Sequence, residues 1–257
     1  GLSKAEKIEN YYGFAEPISG KELLRRGAAG ARRLGVEIVE EELLALSFND
    51  TFDGFKAASR QHEWEASAVV LAAGASRRTL PIPGIAEFEG KGVSYCAICD
   101  AFFYRGKKVA VIGSSEYAVH EAQVLLPHAD MVTLLTNGEP LTAEVPDDVA
   151  VCDGKLAAAE GAGRVERVRF ADGEVLPLDG LFLAIGTAGS SELARKIGAM
   201  LDGADVKVDV HQATNVPGLF AAGDCTGGLL QVAKAVHEGA EAGLSALRYV
   251  RSKRNAK

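Results

Sequence analysis

Apolar positions along the chain repeat with two periods, and the switches between them outline alternating helices and strands. Ser19-x-x-Glu22 has the form of a capping box that opens a helix through Leu23, Leu24, Ala28, Ala31 and Leu34, with Gly35 as its stop. Residues 36–39 read as a strand, and residues 43–64, broken at Asn49-Asp50 and Asp53-Gly54, read as hairpin strands. Val69-Val70-Leu71-Ala72-Ala73-Gly74 is a continuous apolar run ending at glycine, the pattern of a strand buried on both faces. Beyond the linker at Pro81, Pro83 and Gly84, residues 108–113 form a second buried strand. A helix over 115–126, stopped by Pro127, and a strand over 132–135 complete a β-α-β unit.

The remaining elements are shorter. Residues 149–152 and 165–170, with Asp172-Gly173 as a turn, predict an antiparallel layer, and residues 181–185 another buried strand. Strands are also expected over 206–210 and 219–222. The closing helix, from about Leu229 to Tyr249, carries an apolar stripe at Val232, Ala235, Val236, Ala240 and Gly243, and Arg248, Arg251, Lys253 and Arg254 suit its C-terminus.

Composition narrows the function. The 257 residues are 47% hydrophobic and 25% charged, enough for one large domain or two modest ones. A net charge of -7 argues against a nucleic-acid surface, which needs a basic excess. No run approaches the roughly 18 apolar residues of a membrane span, so a soluble protein is expected. The opening Gly1-Leu2-Ser3-Lys4 lacks methionine, and the expectation is that an N-terminal segment, with any targeting signal, is missing.

Four cysteines point to chemistry and not to a disulfide scaffold. Cys152 and Cys225 stand alone, so a four-cysteine zinc site would lack its second C-x-x-C pair, and no metal is expected. Cys96 and Cys99, with two residues between them at the start of a helix, can close a small ring reversibly, because the helix end stabilises the attacking thiolate. Asp100 is placed to pass a proton when the ring opens. Two buried structural cysteines are the alternative reading.

The run Cys96-Ala97-Ile98-Cys99-Asp100-Ala101-Phe102-Phe103-Tyr104 resembles the active-site signature of the low-molecular-weight thioredoxin reductases. Three further segments resemble the same family in the same order. Residues 7–14, which include Asn10 and Tyr12, are similar to its early flavin loop. Ala72, Ala73 and Gly74 resemble its alanine-threonine-glycine strand end, with Ala73 in place of threonine, and Gly218-Leu219-Phe220-Ala221-Ala222-Gly223-Asp224 resembles its C-terminal FAD motif. The resemblance implies an α/β fold of two Rossmann-like, three-layer ββα nucleotide-binding domains. The FAD domain would be discontinuous, 1–90 and 182–257, and lack its N-terminal βαβ as given; residues 91–181 would carry the disulfide and a pyridine-nucleotide-type unit.

It further implies FAD as cofactor, with Asp224 accepting from a ribityl hydroxyl and Gln231, Val232 and Ala233 beside the flavin ring at a helix N-terminus. Cys99 would lie nearer the flavin and Cys96 would attack the partner disulfide. Thioredoxin or a similar dithiol protein is the implied substrate, and a cytoplasmic homodimer the implied state. The family's domain rotation would hinge at residues 81–92 and around Asp179 and Gly180.

Two departures concern the electron donor. The glycine turn of the β-α-β unit reads Gly113-Ser114-Ser115-Glu116-Tyr117-Ala118, so the glycine that lets backbone approach a pyrophosphate is Ser115. Where a basic motif for the NADPH 2′-phosphate should follow Leu135 stand Thr136, Asn137, Gly138 and Glu139. These features resemble the branch that lost NADPH use, including ferredoxin-dependent flavin enzymes and the deeply rooted thioredoxin reductases whose donor is not settled. Three readings remain open: a thioredoxin-reducing enzyme driven by ferredoxin or another non-NADPH reductant, an NADH-dependent relative using Glu139, and a non-catalytic flavin-binding thiol sensor.

Overall fold

A computed structural model of the chain describes residues 2–74, 80–186 and 189–255. Helix α1 (Gly20–Arg33) starts where expected: the Ser19 hydroxyl accepts the Glu22 amide at 3.2 Å, and Gly35 takes φ +86° beyond its end. Residues 36–39 form no strand, because no neighbouring strand pairs with them among the described residues; Val36 and Val39 lie exposed. The meander β1 (Ala45–Phe48), β2 (Phe55–Ala58) and β3 (Glu63–Ala66) follows, with Phe48 opposite Phe55. Strand β4 (Val69–Leu71) lies parallel to a strand 150 residues later, described below.

The second unit contains β5 (Val93–Ser94), α2 (Ala97–Asp100), β6 (Lys108–Ile112), α3 (Glu116–Leu125), β7 (Met131–Leu135), β8 (Val149–Cys152), β9 (Leu156–Glu160), β10 (Arg167–Phe170), β11 (Val175–Pro177) and β12 (Gly180–Leu183). A parallel sheet runs β5-β12-β6-β7-β8, so residues 149–152 extend this sheet, Val149 beside Val132, and do not join the antiparallel layer. That layer is β11-β10-β9, and β9 fills the place expected for β8.

Strand periodicity then sorts side chains into two cores. Val109 and Val111 of β6, with Phe182 of β12, face the helix side and pack with Tyr117, Ala118, Ala122 and Leu125 of α3. Ala110, Ile112, Leu181 and Leu183 face the other way, against Val165, Val168 and Phe170. Helix, parallel sheet and antiparallel layer stack in that order, and each fully buried large side chain contributes roughly 1.5–3 kcal/mol of transfer free energy.

The chain ends with α4 (Ser190–Lys196), the short hairpin β13 (Leu201–Asp202) and β14 (Asp205–Val206), β15 (Leu219–Ala221) and α5 (Val232–Asn255). Regular strand stops at Val206, short of the expected 210. Strand β15 is the parallel partner of β4, with Phe220 beside Val70. Helix α5 buries Ala242 and Ser245 and half-buries Tyr249, whose ring meets Phe220 edge-on at 6.4 Å. Of the expected stripe Val232 and Ala235 are partly buried, whereas Val236, Ala240 and Gly243 face outward, because the face that packs on β15 is centred on Ala242, Ser245 and Tyr249.

Candidate active site

Cys96 precedes the four-residue helix α2 with extended backbone, and its sulfur is bonded to that of Cys99 across a Cα separation of 5.3 Å. The helical turn brings the two sulfurs together. Cys96 is 2% exposed, whereas Cys99 lies at the surface. The Ser94 hydroxyl accepts the Cys96 amide at 3.1 Å and donates to Asp100 Oδ2 at 2.6 Å, so one side chain joins the carboxylate to the disulfide backbone. The Ala97 amide, the first of α2, donates to Glu121 Oε2 at 2.9 Å. Ser94 and Glu121 were not among the residues expected here. A serine two residues before Cys96 is a local turn signal, and Glu121 shares a helix face with Tyr117, Ala118, Ala122 and Leu125, an odd place for a carboxylate.

The carboxyl ends of β4 and β15 meet side by side. Gly74 and Gly223 take φ +76° and +85° there. Ala73 donates its amide to Ser190 Oγ at 2.9 Å, while Ala72 is exposed and Asp224 half-buried. Asn10 Nδ2 reaches Gln231 Oε1 at 3.2 Å, so the early loop and the start of α5, 221 residues apart, come together; Val232 and Ala233 follow in its first turn. Tyr12 stands apart, 99% exposed. Behind the turn, Glu238 Oε2 accepts from the Gly223 amide at 2.8 Å, Thr226 Oγ1 at 2.9 Å and Lys234 Nζ at 2.9 Å. Burial pushes the Glu238 carboxyl up, but Lys234, the Gly223 amide and Thr226 outweigh it and hold the group below its ordinary range. This clamp too was unforeseen. The constellation fits the ribityl and ring end of FAD: an acceptor at Asp224, amides at the start of α5, and two glycine strand ends that leave room at the backbone.

The nucleotide-type turn is closed differently. Gly113 takes φ +156°, and a Cβ there would fall 2.1 Å from the Ala184 carbonyl oxygen, so glycine is required by strand-to-helix packing. At the position of the second glycine, Ser115 spends its hydroxyl on the Gly186 carbonyl. Glu116, the first residue of α3, pairs with Arg60 at 2.7 Å, and Arg60 also reaches Glu144 at 3.1 Å. An ion pair in which Arg60 is already taken up by Glu116 and Glu144 thus sits where a pyrophosphate would need free positive charge. Past β7, Thr136, Gly138, Glu139, Leu141 and Asp153 line a pocket with two carboxylates and no basic group. Among the described residues no metal-ligating cluster occurs, and no helix is long and apolar enough to cross a membrane.

The pyridine nucleotide-disulphide oxidoreductase family profile matches residues 3–239. A thioredoxin reductase of Listeria monocytogenes is 32% identical over 260 residues, spanning 95% of this chain and 81% of that protein. One of Treponema pallidum is 34% identical over 265 residues, spanning 97% and 85%. Among solved structures, the atypical thioredoxin reductase TRi from Desulfovibrio vulgaris Hildenborough superposes with a TM-score of 0.92 at 39% identity, covering 98% of this chain and 87% of that one. A ferredoxin-flavin thioredoxin reductase from Clostridium acetobutylicum gives 0.71 at 30% identity, covering 98% and 86%. A profile match over nearly the whole length, with relatives above 30% identity along it, makes the chain a member of the pyridine nucleotide-disulphide oxidoreductase family, an FAD enzyme of the low-molecular-weight thioredoxin reductase type.

Proposed function

We propose that this enzyme reduces the disulfide of thioredoxin, or of a similar dithiol protein, through Cys96 and Cys99, with electrons from ferredoxin or another reductant that is not NADPH. The observation that carries the donor half is the nucleotide-type turn, where Ser115 replaces a glycine and spends its hydroxyl on Gly186, and where Glu116, paired with Arg60, occupies the helix start that a pyrophosphate needs open. Similarity to the ferredoxin-flavin thioredoxin reductase of Clostridium acetobutylicum supports the same half. The disulfide flanked by Asp100 supports the other.

Opening the Cys96–Cys99 bond takes two electrons and two protons, and the resulting dithiol passes both to the disulfide of the substrate. When bound, FAD would supply the two-electron store that couples the donor to this disulfide. Asp100, joined to the Cys96 backbone through Ser94, is placed to pass a proton to the cysteine pair, and Cys99, at the surface, is the thiol assigned to the flavin side. Cys96 attacks the protein substrate, and because it is 2% exposed, that attack requires uncovering. Movement of unit 91–181 against the flavin unit 1–90 and 182–257, about the strands at 81–92 and 179–180, provides it. The reading includes a cytoplasmic homodimer, checked by sedimentation and fractionation.

The test uses Cys99→Ser. Loss of all thioredoxin turnover with flavin retained is the expected result; full turnover by the variant contradicts the proposal, and absence of turnover in the unaltered protein with every donor favours a thiol sensor. Glu139 in the pocket after β7 favours NADH as a second donor reading, because a carboxylate there can hold a ribose 2′-hydroxyl; faster flavin reduction by NADH than by ferredoxin selects it.

A further inference from the structure

The interior holds an ion pair that the reaction as described does not use. Lys196 Nζ lies 2.5 Å from Glu121 Oε1, with side-chain exposures of 4% and 3%. Lys196 also sits over the Tyr117 ring at 4.9 Å. Burial, and after it the Lys196 ammonium, keeps the adjacent His120 below its usual range, so Glu121 is the group that answers the lysine's charge. Two opposite charges removed from water this fully are costly to place and costly to separate, so such a pair is expected where a particular arrangement has to be held.

Its two ends belong to different parts of the enzyme. The second oxygen of Glu121 accepts the Ala97 amide, inside the ring of the redox disulfide. Lys196 is the last residue of α4, whose first residue, Ser190, accepts the Ala73 amide at the end of β4 on the flavin side. Leu193 and Ala194 between them are buried in the core shared with α3. A continuous path therefore runs from the flavin strand end through Ser190, one short helix, Lys196 and Glu121 to the backbone between Cys96 and Ile98.

We infer that Glu121 is a positioning residue for the redox disulfide, and that its ion pair with Lys196 latches the disulfide loop to the flavin half. In the latched arrangement Cys96 is covered, and the pair parts when Cys96 turns to its protein substrate. The inference rests on the reading of Cys96 and Cys99 as the exchanging pair, and adds what controls access to Cys96. A carboxylate bridging an amide and an ammonium suits this role, since it can keep its bond to Ala97 while Lys196 leaves with α4.

The experiment needs neither donor nor protein substrate, so its failure is separate from failure of the proposed reaction. The flavin-loaded protein is reduced with excess dithiothreitol and pulsed with N-ethylmaleimide. Labelling of Cys96, Cys99 and Cys225 is followed by peptide mass spectrometry in Lys196→Met, Glu121→Gln and the double variant. Cys225, fully buried, reports general loosening. Cys96 labelling is expected to rise about tenfold or more in each variant with Cys225 unchanged, the size set by losing a buried pair. The double variant leaves no lone buried charge, and so stays informative if a single variant does not fold. Cys96 labelling within about twofold of the unaltered protein in the double variant, or rising in step with Cys225, overturns the latch.

Discussion

Glu238→Gln isolates the charge that clamps the turn at Gly223. The substitution keeps an acceptor for the Gly223 amide and the Thr226 hydroxyl but leaves Lys234, 17% exposed, without its counter-ion at 2.9 Å. A hydrogen bond between charged, mostly buried partners contributes about 1.5–3 kcal/mol, so a loss of about 2 kcal/mol is expected. For a chain of this size that lowers Tm by about 4–8 °C. The pH dependence follows from the depressed carboxyl. A group whose folded pKa lies below its unfolded value of about 4.3 contributes fully above that value and loses its contribution as pH falls through the folded pKa. The gap between unaltered protein and variant is therefore complete at pH 7 and closes below about pH 4. Thermal melts read by far-UV circular dichroism, with release of flavin fluorescence recorded in parallel, measure it. A Tm within about 1 °C of the unaltered protein at pH 7, or a gap undiminished at about pH 3, refutes the reasoning.

Asp100→Asn should lower thioredoxin turnover by about a hundredfold or more, by removing the proton relay, with the disulfide still formed on thiol titration; unchanged turnover removes Asp100 from the chemistry. Gly113→Ala should cost about 2 kcal/mol or more, since its Cβ falls 2.1 Å from a carbonyl oxygen, and a melting point equal to that of the parent protein contradicts the packing argument. Phe182→Ala removes a 1% exposed ring set edge-on to Tyr104 at 5.2 Å, and should cost about 3–5 kcal/mol in denaturant unfolding.

What the chain disclosed before its structure was mostly local. The Ser19 cap, the β-α-β unit and the strand ends at Gly74 and Gly223 follow from short-range pattern and turn chemistry, and each lies where expected. Local pattern and structure part where pairing decides. Residues 36–39 have strand-forming residues without a partner to ladder with, and residues 149–152 alternate like an antiparallel edge while lying parallel on β7. The alanine-rich β9, Leu-Ala-Ala-Ala-Glu, carries no strand signal of its own; Val168 and Arg169 opposite it impose the conformation. In α5 Val232 and Ala235 of the expected stripe are partly buried, while Val236, Ala240 and Gly243 face outward and Ala242, Ser245 and Tyr249 make the packed face.

The candidate site was legible where its residues stand in one motif, as in the Cys96–Cys99 disulfide beside Asp100, or where two expected segments meet, as through Asn10 and Gln231. It was opaque where long-range charge supports the motif. Glu121 meets Lys196 75 residues away, and Arg60 meets Glu116 across 56; spacing along the chain carries no trace of either. Glu238 and Lys234, four residues apart on α5, look like an ordinary exposed helix pair until the Gly223 turn folds against them.

The central claim, a disulfide reductase that does not draw on NADPH, is tested most directly by anaerobic reduction of the FAD-loaded protein. NADPH, NADH and reduced ferredoxin are added separately, and flavin bleaching is recorded together with thiol release at Cys96 and Cys99. Bleaching and dithiol formation with reduced ferredoxin, and neither with NADPH, is the predicted result. Rapid bleaching by NADPH at about micromolar concentration, a normal working range for a nucleotide-dependent enzyme, contradicts it.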